Sequence, residues 1–188
     1  AAMSNGYIST QAGQDLFASI DVNAIKHESS KRPPLNVSLV IDRSGSMAGQ
    51  KIENAKLAAR RLVNVLEDRD RVAIVSYGSD VSVDFRSAPL NASNRVALLR
   101  AIDSVAIGGG TNLSGGFQRG FSEVSRNKTA ETVNRVILMS DGHANVGMTA
   151  EPQLTQLATT ALSSNVSVTT MGVGLDYNED LMTAMANE

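Results

Sequence analysis

The chain has 188 residues, 42% hydrophobic and 19% charged, a balance that excludes a disordered or fibrous chain and is long enough for a substantial core. Seventeen Lys and Arg against nineteen Asp and Glu leave a formal net charge of −2, which gives no electrostatic case for nucleic acid or an anionic membrane as the main partner. With no cysteine, disulfides, zinc–thiolate sites and a cysteine nucleophile are excluded, and no run approaches the about eighteen apolar residues of a membrane span.

The first thirty-odd residues stand apart from the rest. In LFASIDVNA, Leu16, Ala18, Ile20, Val22 and Ala24 alternate with more polar neighbours, which predicts a half-exposed strand over Leu16 to Ala24. KHESSKRPP then reads as a linker stiffened by its two prolines. Residues 1–33 are therefore expected to be an extension, as part of an adjacent β-rich module, and residues 34–188 the main domain.

From Leu35 onward strand and helix signals alternate. LNVSLVID (Leu35 to Asp42) predicts a buried strand. Ile52, Ala55, Ala59, Leu62, Val63 and Leu66 make one apolar stripe at helical spacing. RVAIVSY (Arg71 to Tyr77) predicts a second buried strand, and DVSVDF (Asp80 to Phe85) follows so closely that an antiparallel edge hairpin is expected. A helix is predicted from Ser93, as N-cap, to Val105, with Val96, Leu99, Ile102 and Val105 inward. IGGGTNLSGG is a glycine-rich loop leading into a helix around Phe117 to Val124, whose small residues allow close packing on the sheet. RVILMSD (Arg135 to Asp141) is a third buried strand, Glu151 to Leu162 a helix with Pro152 in its first turn, and VSVTTMGVG (Val166 to Gly174) a fourth strand before a last helix. Met171, Met182 and Met185 read as core. This order predicts an α/β fold: a doubly wound, mostly parallel sheet with one antiparallel edge strand and helices on both faces.

Ligands of such sheets sit outside the carboxyl ends of the strands, near the switch in strand order. Asp42, Ser44 and Ser46 follow the first strand, Thr111 lies beyond Gly108-Gly109-Gly110, and Asp141 ends the RVILMSD strand. Two carboxylates and three hydroxyls are the donor set of a hard divalent cation. Gly45 is expected to let Ser44 and Ser46 converge, and the triple glycine to let Thr111 approach. His143 is expected in an exposed loop beside the site, and Arg43 to be solvated or to face a partner. No phosphate-loop signature GxxxxGK[ST] occurs, and GVGLD lacks the third glycine of a dinucleotide fingerprint. Asn36-Val37-Ser38 is a glycosylation triplet only by chance, inside a core strand.

Asp42-Arg43-Ser44-Gly45-Ser46, Thr111 in GGGTN and Asp141 in MSDG resemble, in order and in strand context, the metal-ion-dependent adhesion site of the von Willebrand factor type A domain. The likeness runs from about Pro34 to the end of the chain, and the stretch RPPLNVSLVIDRSGSM looks like bacterial surface, periplasmic or inter-alpha-inhibitor-like members. It implies that Asp42, Ser44, Ser46, Thr111 and Asp141 hold Mg²⁺ or Mn²⁺, with Ca²⁺ as the alternative. The partner it implies is a protein that supplies an Asp or Glu to the metal, and a monomer is expected for the isolated domain. The acids that form a second, calcium site in integrin-type relatives are replaced by Ala48, Gly49 and Gln50, so one metal is expected. Family members continue past MGVG and its helix into a final strand and helix, so residues 34–188 are expected to lack these.

The reading is therefore a non-enzymatic adhesion or interaction domain. The alternative is an accessory subunit of an AAA+ chelatase or MoxR-type machine. A metal-dependent hydrolase ranks below both, because Asp42 and Asp141 are committed to metal and only His143 remains as a histidine base. An extracellular, cell-surface or periplasmic location is favoured over the cytoplasm, since a chain without cysteine suits export.

Overall fold

A computed structural model of the protein describes residues 2–3, 18–19 and 32–186. Ala1–Arg32 and Pro33–Glu188 form separate compact units. In the first, β1 (Ala2–Met3) pairs antiparallel with β2 (Ala18–Ser19). Apart from Ala18 and Ser19, the strand expected over Leu16 to Ala24 lies outside the described residues.

The second unit is built on five strands, β3 (Leu35–Asp42), β4 (Arg71–Tyr77), β5 (Val81–Pro89), β6 (Val133–Ser140) and β7 (Ser167–Gly172). They lie in the order β5-β4-β3-β6-β7, parallel except for β5, which runs antiparallel to β4 at one edge. β3 is central, and every residue after Leu35 in it is buried. Its alternate side chains enter two separate cores. Val37, Leu39 and Ile41 pack under α1 (Gln50–Val65) and α2 (Ala92–Ser104). Val40, with Val136 and Leu138 of β6, packs under α3 (Leu113–Ser125), α4 (Glu151–Ser163) and α5 (Glu179–Ala186). Each fully buried Val, Leu or Ile contributes about 1.5–3 kcal/mol, so this two-sided burial fixes β3 in the middle. The doubly wound sheet with one antiparallel edge strand is the architecture that the alternating pattern predicts.

One cap and two apolar assignments need correction. α2 is capped by Asn91, not Ser93: the Asn91 Oδ1 accepts the Asn94 N–H at 2.9 Å. Ile102 and Val105 are buried as expected, with Leu98 beside them and Leu99 packed against the same core, while Val96 is 50% exposed. The reason is Arg95, which donates to the Val63 and Leu66 carbonyls at the end of α1 and so sets the rotation of α2. Met182 and Met185 are core, but Met171 is 39% exposed because β7 is the other edge of the sheet.

α3 lies close on the sheet for the reason its glycines suggest. A Cβ on Gly116 would meet the Tyr77 ring at 2.4 Å, and one on Gly120 would meet Val40 Cγ2 at 2.3 Å. Asn36 is fully buried and donates to the Val124 carbonyl and to Asn134 Oδ1, so it is no glycan acceptor in the fold. No helix among the described residues is long and apolar enough to cross a membrane.

Candidate metal centre

β3 and β6 are neighbours from which the chain winds away in opposite directions, so a crevice opens at their carboxyl ends. Asp42 is the last residue of β3, and Asp141 follows the last residue of β6. Both are fully buried. After Asp42 the chain makes one tight turn, Gly45–Met47, anchored by the fully buried Met47, before α1 starts at Gln50.

That turn brings the serines together. Ser44 Oγ and Ser46 Oγ lie 3.1 Å apart, with Ser44 buried and Ser46 exposed at the mouth. The Gly45 N–H donates to the Gly109 carbonyl at 3.1 Å, joining the turn to the glycine-rich loop that carries Thr111. Thr111 is itself buried, and its N–H donates to Asn145 Oδ1 at 2.8 Å. The Asn145 and Val146 N–H groups return bonds to the Thr111 carbonyl. The three segments singled out in the sequence therefore meet on one rim.

Gly45 is not what permits this. A Cβ there would stand 3.6 Å from its nearest neighbour, an ordinary contact. The tight approach is at Gly78, where a Cβ would meet the Gly108 carbonyl oxygen at 2.1 Å. Arg43 also departs from expectation. Its guanidinium bonds Asp80 Oδ1 at 2.8 Å and lies beside Gly78 and Gly108, so it braces the loops and does not face outward.

Asp42 is held from three sides. Oδ1 accepts the Ser44 N–H at 2.8 Å; Oδ2 accepts the Ser140 hydroxyl at 2.6 Å and the Tyr77 hydroxyl at 3.2 Å. Burial still pushes its carboxyl above the ordinary value of 3.8, against the lowering effect of Ser140 and Ser44, with the Asp141 charge adding to the rise. Burial beside Asp42 also raises the Tyr77 hydroxyl well above 10.0, so Tyr77 stays a donor.

Asp141 has a different counter-charge. Lys51 Nζ, in the first turn of α1, lies 3.2 Å from Asp141 Oδ2 and 2.8 Å from Asp176 Oδ1. Asp176 chiefly, and Asp141 after it, raise the Lys51 ammonium, while Lys51 lowers Asp176. His143 sits at the rim with its Nε2 2.9 Å from the Asp176 carbonyl oxygen.

Tyr77, Ser140, Lys51 and Asn145 are the residues that sequence reasoning missed. Ser140 lies in the MSDG stretch, but a serine beside an acid has no reason to be singled out alone. Lys51 and Asp141 are ninety positions apart, and no local pattern pairs them.

A hard cation fits the chemistry of this donor set. Among the described residues no three His, Cys, Asp or Glu side chains cluster to hold a metal, so an ion here would need further oxygen donors, for which the hydroxyls of Ser44, Ser46 and Thr111 are suited. Asp42 and Asp141 are both fully buried, and Lys51 faces only Asp141 of the two and is shared with Asp176, so negative charge remains that a divalent ion would neutralise.

The chain is 31% identical over 167 residues to the uncharacterized protein sll0103 of Synechocystis, covering 89% of this chain and 39% of that one. It is 27% identical over 164 residues to the human inter-alpha-trypsin inhibitor heavy chain H3, covering 82% of this chain and 18% of that one. It thus spans well under half the length of these relatives. Two solved structures share the fold. The manganese-loaded Plasmodium vivax TRAP protein superposes with a TM-score of 0.69 at 18% identity, covering 82% of this chain and 63% of that one. Proximal thread matrix protein 1 of the mussel byssus, with a zinc occupied MIDAS motif, gives 0.67 at 19%, covering 82% and 41%. The model of the von Willebrand factor type A domain matches residues 36–188, and the chain belongs to that family.

Proposed function

We propose that Asp42, Ser44, Ser46, Thr111 and Asp141 hold one divalent cation, Mg²⁺ or Mn²⁺, and that the domain recognises an acidic protein partner there. The observation that supports this reading is that the turn after β3, the glycine-rich loop that carries Thr111 and the end of β6 come together at the sheet's switch point, joined by the Gly45–Gly109 and Ser140–Asp42 bonds. When bound, the cation supplies an electrophilic position that the partner's Asp or Glu carboxylate can fill. The metal-loaded TRAP and thread matrix structures support a divalent ion in this fold.

The chain's own residues prepare the site. Tyr77, Ser140 and the Ser44 N–H spend their hydrogens on Asp42, keeping its orientation fixed. Asn145 fixes the backbone at Thr111. Ser46, exposed at the mouth, stands between the buried donors and the arriving partner. The His143 Nε2 lies 2.9 Å from the Asp176 carbonyl oxygen, so this ring nitrogen is engaged within the rim. A location outside the cytoplasm, at a cell surface or in the periplasm, agrees with this adhesive role.

The test is calorimetric titration of the chain with Mn²⁺ and Mg²⁺. One ion per chain is expected, lost in Asp42→Ala and Asp141→Ala and weakened in Ser44→Ala, Ser46→Ala and Thr111→Ala, with circular dichroism unchanged. Undiminished binding in Asp42→Ala would refute the assignment.

A further inference from the structure

Between the edge strand β5 and α3 runs an open groove of about 690 Å³, lined by Ser82, Val83 and Arg86 on the strand and by Gln118, Arg119 and Ser122 on the helix. The register of β5 explains why Arg86 is there. Val83 pairs with Val75 and Phe85 with Ile74, so Asp84 is an extra residue and the alternation of faces flips across it. Val81 and Val83 pack with the α3 core, whereas Phe85 packs with the α1–α2 core. Arg86 then returns to the α3 side. Without the bulge, Phe85 would point into the groove and Arg86 to the opposite face.

Two guanidiniums line this groove, those of Arg86 and Arg119. Arg86 is exposed and has no ion pair among the described residues. Arg119 lies 3.5 Å from Oε1 of Glu123, whose side chain is 1% exposed. Glu123 Oε2 accepts the Ser87 N–H of β5 at 3.1 Å, so this carboxylate ties strand to helix and orients Arg119. Arg126, 3.8 Å from the same Oε1, shares that one charge, which leaves the cluster positive. Asp80, at the head of the strand, is already taken by Arg43.

The groove leads away from the metal rim. Val81 at its upper end pairs with Tyr77, the donor to Asp42. Gly115, on the other wall, follows Asn112, whose N–H bonds the Gly78 carbonyl. From Val81 to Arg86 the strand covers about 15 Å, and Val81 stands two strands, about 10 Å, across from Asp42. The span from rim to Arg86 is therefore roughly 18 Å, which an extended peptide covers in about five to six residues.

We propose that Arg86 and Arg119 bind a second carboxylate of the same acidic peptide segment whose first carboxylate reaches the metal, and so select partners with two acids at that spacing. This rests on the metal reading above. Two cations on a chain of net charge −2 suit paired carboxylates and not a polyanion, which would meet repulsion elsewhere on the surface.

The test uses the Mn²⁺-loaded full chain and two fluorescein-labelled, C-terminally amidated peptides, Asp-Gly-Ser-Gly-Ser-Asp and the same peptide with Asn as its last residue, read by anisotropy. The diacid should bind roughly fivefold more tightly, the gain expected of two exposed ion pairs. Arg86→Glu and Arg119→Gln should each reduce that advantage towards parity while calorimetric Mn²⁺ affinity stays unchanged. Arg86 is exposed and has no ion pair with Glu123 among the described residues, so its variant keeps the test open even where Arg119→Gln disturbs the fold. Equal binding of the two peptides by the Mn²⁺-loaded chain, or an advantage that survives Arg86→Glu, overturns the groove and leaves the metal site standing. Calorimetry that finds no bound Mn²⁺ overturns both.

Discussion

Ser140 donates a 2.6 Å hydrogen bond to Asp42 across the carboxyl ends of two neighbouring parallel strands, β6 and β3. The bond joins the two segments that carry the candidate acids, since Asp141 is the next residue after Ser140. It also places a hydroxyl hydrogen on the one oxygen of Asp42 that Tyr77 reaches from the other side. The carboxylate is thus oriented before any ligand arrives.

Ser140→Ala should lower unfolding stability by about 1.5–3 kcal/mol, the range for a hydrogen bond to a charged group. Tyr77→Phe should cost less, because its bond is longer. Urea denaturation measures both. Metal affinity should weaken in each while one ion per chain is retained; unchanged affinity in Ser140→Ala would show that Asp42 needs no such orientation.

Lys51→Met should separate stability from binding. The substitution leaves fully buried Asp141 without its cation, which should destabilise the metal-free protein by roughly 2 kcal/mol. The same change removes a positive charge that competes with an incoming ion, so Mn²⁺ should bind more tightly. Thermal melts with and without Mn²⁺ should therefore diverge more than in the wild type. Weaker Mn²⁺ binding in Lys51→Met would mean that Lys51 positions Asp141 for the metal and does not compete with it.

The pH dependence follows from the raised carboxyl of Asp42. Protonated Asp42 is a poor ligand, so metal affinity should begin to fall at a pH above the ordinary 3.8 of a free aspartate. For the metal-free protein the sign is opposite. The folded state holds the Asp42 proton more tightly than the unfolded chain, so Asp42 subtracts stability as pH rises from 3.8 through the higher folded value. Asp42→Asn should remove this part of the pH dependence in urea titrations of the chelator-treated protein.

Gly120→Ala tests the fold apart from the site. The added methyl would meet Val40 Cγ2 at 2.3 Å and Ser38 Oγ at 3.1 Å. The gain in helix propensity offsets part of the overpacking, leaving a net loss of about 1–2 kcal/mol. Mn²⁺ stoichiometry should stay at the wild-type value, since Gly120 lies two turns into α3 from Thr111.

The sequence by itself determined the sheet and its winding. Strands such as LNVSLVID and RVAIVSY, apolar on both faces, have no stable place except between two layers of helix, and the short link to DVSVDF permits only an antiparallel neighbour. The acids and hydroxyls were legible for the same reason, because each stands just past a strand or beside a glycine-rich loop. Tertiary structure decided what local pattern does not encode. The rotation of α2 depends on Arg95 reaching the carbonyls of another helix, so Val96 faces solvent although its spacing fits the stripe. The partners of the acids, Ser140 and Tyr77 on Asp42 and Lys51 on Asp141, come from separate elements that only the folded sheet brings within bonding distance. The bulge at Asp84, which sends Arg86 to the α3 side, arises from pairing with β4 and leaves no mark in the alternation of β5 alone.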